Sequence, residues 1–280
     1  MHMTRLIYCE LIKLFFKKRT YIGFGIVLLI VPLVEVAMKL EGGRFLTIAM
    51  RGLSQDFLFF GNLFNGWFVA YQIMNSLWFH IPLLISFVAG DQLAGEATAG
   101  TYRLILIRPV SRTRIFIAKY ITTLMYTIIF VFFLAGLSIG LAVLLLGRGD
   151  LIVILRGILI LPEAEVAWRF LIAYLLATWT MITIASLSFF FSSFVENAIG
   201  PIVATMGVLI VFAVISVIPV ELFEVPKRFL FTKYINMWQK MFQDPVPWNE
   251  VKTGILFMGT WTLTLVLSAW AVFVRKDILS

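Results

Sequence analysis

The chain has 280 residues, of which 61% are hydrophobic and only 14% are charged. Because soluble domains carry about 25% charged residues, this composition excludes a soluble globular protein and indicates an integral membrane protein. The formal net charge of +8 does not require nucleic acid as a partner. Lys and Arg gather beside membrane spans, where cytoplasmic loops and anionic lipids favour them. We therefore expect membrane lipids, and no nucleic acid, among the partners.

The sequence contains none of the motifs that would make the chain an enzyme by itself. Neither the phosphate-binding motif GxxxxGKS or GxxxxGKT nor the zinc motif HExxH occurs. The single cysteine, Cys9, excludes an intramolecular disulfide, and the two histidines, His2 and His80, exclude a multi-histidine metal site. We expect no catalytic residue, no metal and no cofactor on this chain.

The N-terminal region predicts an interfacial helix followed by the first membrane span. Residues 1–19 place apolar side chains at helical spacing opposite basic ones, as in a helix lying on a membrane surface. Residues 21–38 are just long enough to cross about 30 Å of hydrocarbon. Glu35 is expected in the last turn of this span, with its carboxylate reaching the outer interface or contacting substrate. Residues 39–66 are too broken to span and predict short amphipathic pieces on the outer surface.

The second predicted span, 67–89, carries a stripe of polar residues on one helical face. The stripe follows the spacing i, i+3, i+4 and i+8 and consists of Gln72, Asn75, Ser76 and His80. Polar side chains in a span usually face a protein interior or a water-filled path, because exposure to lipid is costly. The stripe therefore indicates either the lining of a substrate path or hydrogen bonds between helices.

The rest of the chain predicts four more spans and an outer helix, which gives an all-α fold in a single transmembrane domain, residues 1–280. The four spans are 115–146, 170–194, 198–220 and 255–274, and residues 227–243 predict an amphipathic helix on the outer surface. Six spans put both termini on one side of the membrane. Lys and Arg in 1–19 and 90–119 place that side in the cytoplasm, in a plasma (inner) membrane. The four basic residues of 221–250 oppose this orientation.

The most informative stretch is the polar segment between the second and third spans, 90–114. Its small residues allow another backbone to approach closely, and Pro109 ends any helix at or before Arg108. Several Arg residues follow at the membrane face. These features predict an aqueous loop containing a short helix suited to transmit force from a soluble partner; a positively charged connector of another kind of membrane protein is the alternative.

This segment also resembles a known pattern. The order Glu96, Gly100-Thr101, an apolar run, Arg108-Pro109-Val110-Ser111-Arg112 and then Lys119 is similar to the first cytoplasmic loop of type-2 ABC-exporter permeases. The resemblance implies an N-terminal elbow helix, six spans and a coupling helix between spans two and three. It also implies two partners: a separate ABC ATPase subunit that binds ATP and Mg, and a second copy of this chain or a related permease.

By the same resemblance, the coupling residues are Glu96, Gly100, Thr101, Arg103, Arg108 and Arg112. The expected function is a permease subunit that forms the substrate path and couples it to ATP hydrolysis by the partner. The alternative from another class is a secondary transporter driven by an ion gradient. That class should show internal repeats and a charged pair at mid-membrane, and the sequence shows neither. An intramembrane enzyme acting on lipid is disfavoured by the missing catalytic groups.

Overall fold

A computed structural model describes residues 2–49, 64–100, 110–154, 158–218 and 224–276, and these are mostly helical. The α-helices are α1 (Met3–Phe16), α2 (Thr20–Ala49), α3 (Gly66–Leu77), α4 (His80–Thr98), α5 (Arg112–Leu146), α6 (Glu163–Phe194), α7 (Ile199–Val217), α8 (Glu224–Phe229) and α9 (Trp248–Arg275). The strands β1 (Leu151–Ile154) and β2 (Ile158–Leu161) form an antiparallel hairpin. The 3₁₀ helices η1 (Phe231–Tyr234) and η2 (Met237–Phe242) precede α9.

Five of these helices, α2, α5, α6, α7 and α9, are long and apolar enough to cross a membrane. The pair α3 and α4 would count as a sixth crossing only if taken together, because the two are bent by 56° at the break between them. Several helices of this length and composition are the property expected of a multi-pass membrane protein.

Helix α6 is the centre of the bundle and packs against α4, α5, α7 and α9. In its most apolar window 72% of the residues are buried, against 17 to 33% in the other four candidate spans. Those outer helices expose large apolar side chains, among them Leu33, Val211 and Leu256. Apolar surface on this scale is unfavourable in water and suits contact with hydrocarbon or with another subunit.

The bundle has two chemically different ends. At one end, α1 packs on α5, and Arg112 donates hydrogen bonds to the carbonyls of Val274 (3.1 Å) and Lys276 (2.7 Å) at the end of α9. The N-terminal helix and the end of the last helix therefore lie at this same end, which we name the ionic end. The opposite end holds the β-hairpin and is named the hairpin end.

Several helices run past the predicted boundaries. Helix α2 continues to Ala49, α4 to Thr98, α6 begins at Glu163 and α9 begins at Trp248. Hydropathy marks the part of a helix that fits hydrocarbon, whereas polar turns at either end can stay helical. The predicted second span is wrong as one straight helix, since it breaks after Leu77.

The predicted outer helix 227–243 is also wrong as a single helix, because the segment is divided between α8, η1 and η2. Buried Arg169 binds the end of this segment, where η2 stops. Its guanidinium donates to the carbonyls of Met241 (3.0 Å) and Gln243 (2.8 Å), and so satisfies groups that a continuing helix would bond. The apolar side of the segment is nevertheless buried, including Phe231, Trp238 and Phe242. The β-hairpin within 147–169 was not predicted.

Gly66 permits a close helix approach at the hairpin end. A Cβ atom placed there would lie 2.6 Å from the backbone carbonyl of Ala142 on α5. We predict that Gly66→Ala destabilises the protein by about 1–3 kcal/mol, because backbone cannot yield as a side chain can. In Gly25→Ala the new methyl group meets nothing within 4 Å, so this control should be neutral or slightly stabilising. Thermal unfolding in detergent measures both; equal melting temperatures would contradict the close approach.

Candidate functional site

Four charged side chains meet at the ionic end, and we name them the ionic cluster: Glu10 and Lys13 of α1, Glu96 of α4 and Lys119 of α5. The ammonium of Lys119 lies 2.8 Å from Oε2 of Glu10 and 2.9 Å from Oε1 of Glu96. Lys13 lies 3.0 Å from Oε1 of Glu10 and 3.6 Å from Oε1 of Glu96. Lys119 is only 2% exposed, so the bridge between the two carboxylates is enclosed in protein.

The local sequence explains how these residues meet. Glu10 and Lys13 are one helical turn apart, so both lie on the face of α1 that packs on α5. Lys119 is in the second turn of the same α5, and Glu96 is in the last turn of α4. The cluster joins three helices that are distant in sequence. Two carboxylates against two ammonium groups leave no net charge, which offsets much of the cost of burying Glu10, Glu96 and Lys119; the side chain of Lys13 remains 47% exposed.

The cluster changes the pKa of two of its members. Burial by itself raises the pKa of the Glu10 carboxyl, but the charges and hydrogen bonds of Lys119 and Lys13 outweigh it and hold that pKa below its ordinary value. Burial by itself lowers the pKa of Lys13, but Glu10 and Glu96 outweigh it and raise that pKa. Both groups are therefore held in their charged forms around neutral pH.

A second buried charge, Asp91, connects α4 to the turn between α1 and α2. Its carboxylate accepts from Lys17 at 2.8 Å and also pairs with Arg19. Gly95 lies one turn further along α4, where a Cβ atom would be 2.2 Å from Oδ1 of Asp91. A larger residue at position 95 would therefore displace the carboxylate of Asp91 from its present place. The start of the chain is thus held to α4 at two successive turns.

Helix α4 is joined to the central helix α6 by Ser192, whose hydroxyl forms hydrogen bonds with backbone groups of α4. The hydroxyl of Ser192 accepts from the N–H groups of Leu93 (3.1 Å) and Ala94 (2.9 Å) and donates to the carbonyl of Gly90. Gly90 permits the approach, since a Cβ atom there would be 3.0 Å from Oγ of Ser188. The end of α4 therefore contacts α1, α5 and α6 through polar groups.

The structure corrects the prediction that the aqueous loop begins at residue 90. Helix α4 continues to Thr98, and its residues are buried as far as Glu96. Glu96 is buried and binds Lys119 of its own chain through Oε1. Gly100 follows with a positive φ of 66°, the left-handed conformation that commonly ends a helix. Arg112 binds the end of α9, and Thr101, Arg103 and Arg108 lie outside the described residues.

The polar stripe of the second span is also not one continuous face. The 56° bend falls between Ser76 and His80, and both of these residues are exposed. Asn75 accepts a hydrogen bond from Gln239 of η2 at 2.9 Å, which fits the alternative of hydrogen bonding between elements. Gln72 is half-buried on α3. The described part of the chain does not bring the four residues together around a shared cavity.

The sequence reasoning missed the ionic cluster as a unit. Residues 1–19 predict an interfacial helix, and Lys119 belongs to the pattern that resembles type-2 ABC-exporter permeases, but neither observation pairs Glu10 with Lys119. Two features of the sequence indicate that these charged groups are buried. Lys119 lies within an apolar helical run, and Asp91 and Glu96 lie among small residues that permit burial. The prediction that Glu35 lies in the last turn of its span and reaches the outer interface is wrong, because α2 continues past it and its side chain is fully buried.

Within the described ranges, no group of three His, Cys, Asp or Glu side chains could hold a metal ion.

We predict that Lys119→Met strongly destabilises the protein, by about 3–5 kcal/mol, because it removes the buried ammonium between two buried carboxylates and leaves them only the half-exposed Lys13. Adding Glu96→Gln to this variant should recover part of the loss, since one of the uncompensated charges disappears. Lys252→Met, at an exposed position of α9, is the matched control. Thermal unfolding in detergent measures all three; wild-type stability of Lys119→Met would contradict the cluster.

The lowered pKa of Glu10 predicts a dependence of stability on pH. Glu10 binds its proton less readily in the folded state than in the unfolded state, so its contribution is present above the ordinary pKa of 4.5 and is lost as pH falls below it. Glu10→Gln should lower the stability at pH 7 and flatten the decline between about pH 5 and 3. Melting temperatures measured across this range test it, and an unchanged decline in the variant would refute it.

Comparison with known proteins places the chain in a family without giving it an activity. Residues 28–279 match the family DUF2705, described as a protein of unknown function. The chain is also similar to the uncharacterized protein YhcI of Bacillus subtilis (strain 168), with 22% identity over 197 residues. That similarity covers 68% of this chain and 62% of YhcI, so the chain spans less than two thirds of that relative. With its match over most of its length, the chain belongs to the DUF2705 family.

Proposed function

We propose that the chain is the membrane subunit of an ABC-type exporter, which forms a substrate path and is driven by a separate ATPase subunit. The observation that carries the proposal is the ionic cluster. It fastens α1, α4 and α5 together at the place where the segment between α4 and α5 begins and ends. A push on that segment acts on a unit in which the three helices move together.

The long helix α5 would carry this movement through the membrane. It has 35 residues and is therefore about 52 Å long, more than the hydrocarbon thickness. Through Ser192, α4 would carry the same movement to the central helix α6. These two connections lead from the ionic end to the middle of the bundle, where a path that opens alternately to either side would lie.

The candidate coupling residues take different roles in this proposal. Glu96 is a positioning residue, because it holds α4 to α5 and to α1. Arg112 fastens the start of α5 to the end of α9. Gly100 supplies the turn after α4. Thr101, Arg103 and Arg108 remain candidates for direct contact with the ATPase.

The remaining elements of the proposal follow the same resemblance. The ionic end faces the cytoplasm of a plasma (inner) membrane, both termini are cytoplasmic, and α3 with α4 counts as the sixth crossing. Helix α1 acts as the elbow helix. The exposed apolar faces of the outer helices contact lipid and a second copy of the chain or a related permease. ATP and Mg bind to the partner ATPase, and this chain has no activity as an enzyme.

A secondary transporter driven by an ion gradient is the second candidate function. One observation favours it: Glu35 is a buried carboxylate within a candidate span. Ionisable residues in such positions often belong to ion pathways. Uptake or efflux by proteoliposomes that contain this chain alone, under an imposed ion gradient, would favour this candidate over the ABC exporter.

We predict that the purified chain does not hydrolyse ATP, and that activity appears only after reconstitution with an ATPase subunit encoded beside it. In that complex, Glu96→Gln should lower transport at least tenfold while the chain still inserts and binds the ATPase, because the helices then respond separately. Glu163→Gln, an exposed residue at the hairpin end, is the control. Robust hydrolysis by the single chain, or unchanged transport by Glu96→Gln, would contradict the proposal.

A crosslinking experiment tests the contact with the ATPase directly. In a Cys9→Ser background, a cysteine at Ala99 would lie on the exposed turn after α4, next to the proposed coupling segment. A cysteine at Thr253, exposed on α9 near the hairpin end, is the control. We expect the Ala99 position to crosslink to the co-purified ATPase and the Thr253 position not to. Crosslinking from Thr253 alone would place the ATPase at the wrong end.

A further inference from the structure

Four basic residues of 221–250 oppose the orientation that the other loops indicate, and the proposed function gives them no role. One of them, Lys240, pairs with Glu250 at the start of α9. The other three line a single cavity: Lys227, Arg228 and Lys233. Three basic side chains around one cavity, placed against the charge bias of the chain, indicate a role other than setting its orientation.

The cavity lies at the hairpin end, where the last turn of α7 meets α8 and η1, and its volume is about 480 Å³. Ligand sites commonly have volumes of about 300–1,000 Å³. Arg228 and Lys233 are exposed, so the cavity opens at the protein surface. Among the described residues that line it none is acidic, and segment 224–234 carries three basic residues against one acidic residue. This balance of charge suits an anion.

Two hydroxyl groups in the cavity, those of Ser216 and Thr232, add a hydrogen-bond donor to the cations. Ser216 donates to the carbonyl of Phe212 at 2.7 Å, so its proton is already used. The two hydroxyl oxygens are 3.2 Å apart, and Thr232 is therefore the donor between them. Thr232 is only 8% exposed. An anionic oxygen in the cavity can accept this proton instead, because it is a stronger acceptor than a neutral hydroxyl.

The backbone that carries the basic residues is held in place by aromatic packing. Phe231 is fully buried, and its ring centroid lies 5.6 Å from those of Phe212 on α7 and Trp261 on α9. The indole N–H of Trp261 donates to the carbonyl of Phe229 at 3.0 Å. The segment is thus fastened to two apolar helices, and a ligand does not have to order it on binding.

The same elements expose apolar side chains close in sequence to the polar ones. On α8, Val225 and Phe229 are each 64% exposed, and Val211 and Val214 are exposed on the last two turns of α7. Apolar surface next to basic side chains is typical of elements at a membrane interface. A ligand that matches both parts has an anionic headgroup and an apolar tail.

We propose that this cavity binds the headgroup of an anionic phospholipid, with the phosphate held by Arg228, Lys233 and Thr232 and the acyl chains along the exposed face of α7. A guanidinium offers a phosphate two parallel N–H donors, and an ammonium adds a compact positive charge. A zwitterionic lipid such as phosphatidylcholine carries an ammonium group of its own, which the neighbouring basic side chains repel. The inference does not depend on the proposed function.

Native mass spectrometry of the purified full chain in a neutral detergent counts the lipids that stay bound. The probes are phosphatidylglycerol and phosphatidylcholine with identical acyl chains, and inorganic phosphate is the competitor. The site variant, Arg228→Gln/Lys233→Gln, removes two exposed positive charges of the cavity. Its matched control, Lys18→Gln/Lys252→Gln, removes the same charge from exposed positions elsewhere. Thr232→Val removes the hydroxyl donor and leaves the charge unchanged.

We expect wild-type protein to bind one phosphatidylglycerol at least tenfold more tightly than phosphatidylcholine. The site variant should lose this preference, and the matched control should keep it. Thr232→Val should bind phosphatidylglycerol at least threefold more weakly. Inorganic phosphate at the same concentration should not displace the lipid, because it lacks the apolar contacts.

Equal binding of the two lipids by wild type would overturn the proposal, since the cavity would then not select an anionic headgroup. An equal loss of preference in the matched control would show attraction by net charge alone. Displacement of the lipid by an equal concentration of inorganic phosphate would make free phosphate the ligand. If the site variant fails to fold, as judged by gel filtration, Thr232→Val decides, and wild-type binding by that variant would refute the site.

Discussion

The structure depends most on one ammonium group, that of Lys119, held between the carboxylates of Glu10 and Glu96. Within an almost wholly apolar chain, this contact is where three helices from different parts of the sequence meet. Dispersion and apolar burial can hold helices side by side in many registers, because neither is directional. A buried charge with two specific partners is satisfied in few arrangements, so it fixes the relative positions of α1, α4 and α5.

The other polar contacts at the ionic end extend this constraint. Asp91 holds the turn after α1, Ser192 joins α4 to the central helix, and Arg112 joins the start of α5 to the end of α9. At the hairpin end, Arg169 makes a comparable contact with the carbonyls of Met241 and Gln243. Between the two ends the bundle is apolar, apart from hydroxyl pairs such as Ser138 with Tyr174 and the isolated Glu35.

The fold class and the approximate number of apolar helices could be predicted from the sequence, because long apolar runs have few other structures open to them in a membrane. The ends of the helices could not be predicted, since α2 and α4 continue beyond their predicted last residues. Polar residues such as Asp91 and Glu96 look like the start of a loop until their partners Lys17, Arg19 and Lys119 are known. Folding brings these partners close to one another, and the order of residues along the chain does not show which residues will meet.

The coupling role predicted for segment 90–114 stays a prediction, and the contacts that its residues make within the chain were not predicted. The sequence singled out Glu96, Gly100 and Arg112, and each has a distinct structural role. It gave no reason to pair Glu96 with Lys119, which is 23 residues away. The stripe from Gln72 to His80 has regular helical spacing in the sequence. Because the helix bends after Leu77, these residues do not share one face in the structure. A break in a helix made by surrounding packing leaves little trace in local sequence.

The central claim is that α1, α4 and α5 move as one unit under the action of an ATPase. Spin labels at two exposed positions, Tyr8 on α1 and Met125 on α5, placed in a Cys9→Ser background, measure the distance within that unit by electron paramagnetic resonance. Labels at Tyr8 alone report on the distance between two copies of the chain. With the ATPase bound, addition of ATP should change the second distance and leave the first unchanged. Separation of Tyr8 from Met125, or no change in either distance, would contradict the account.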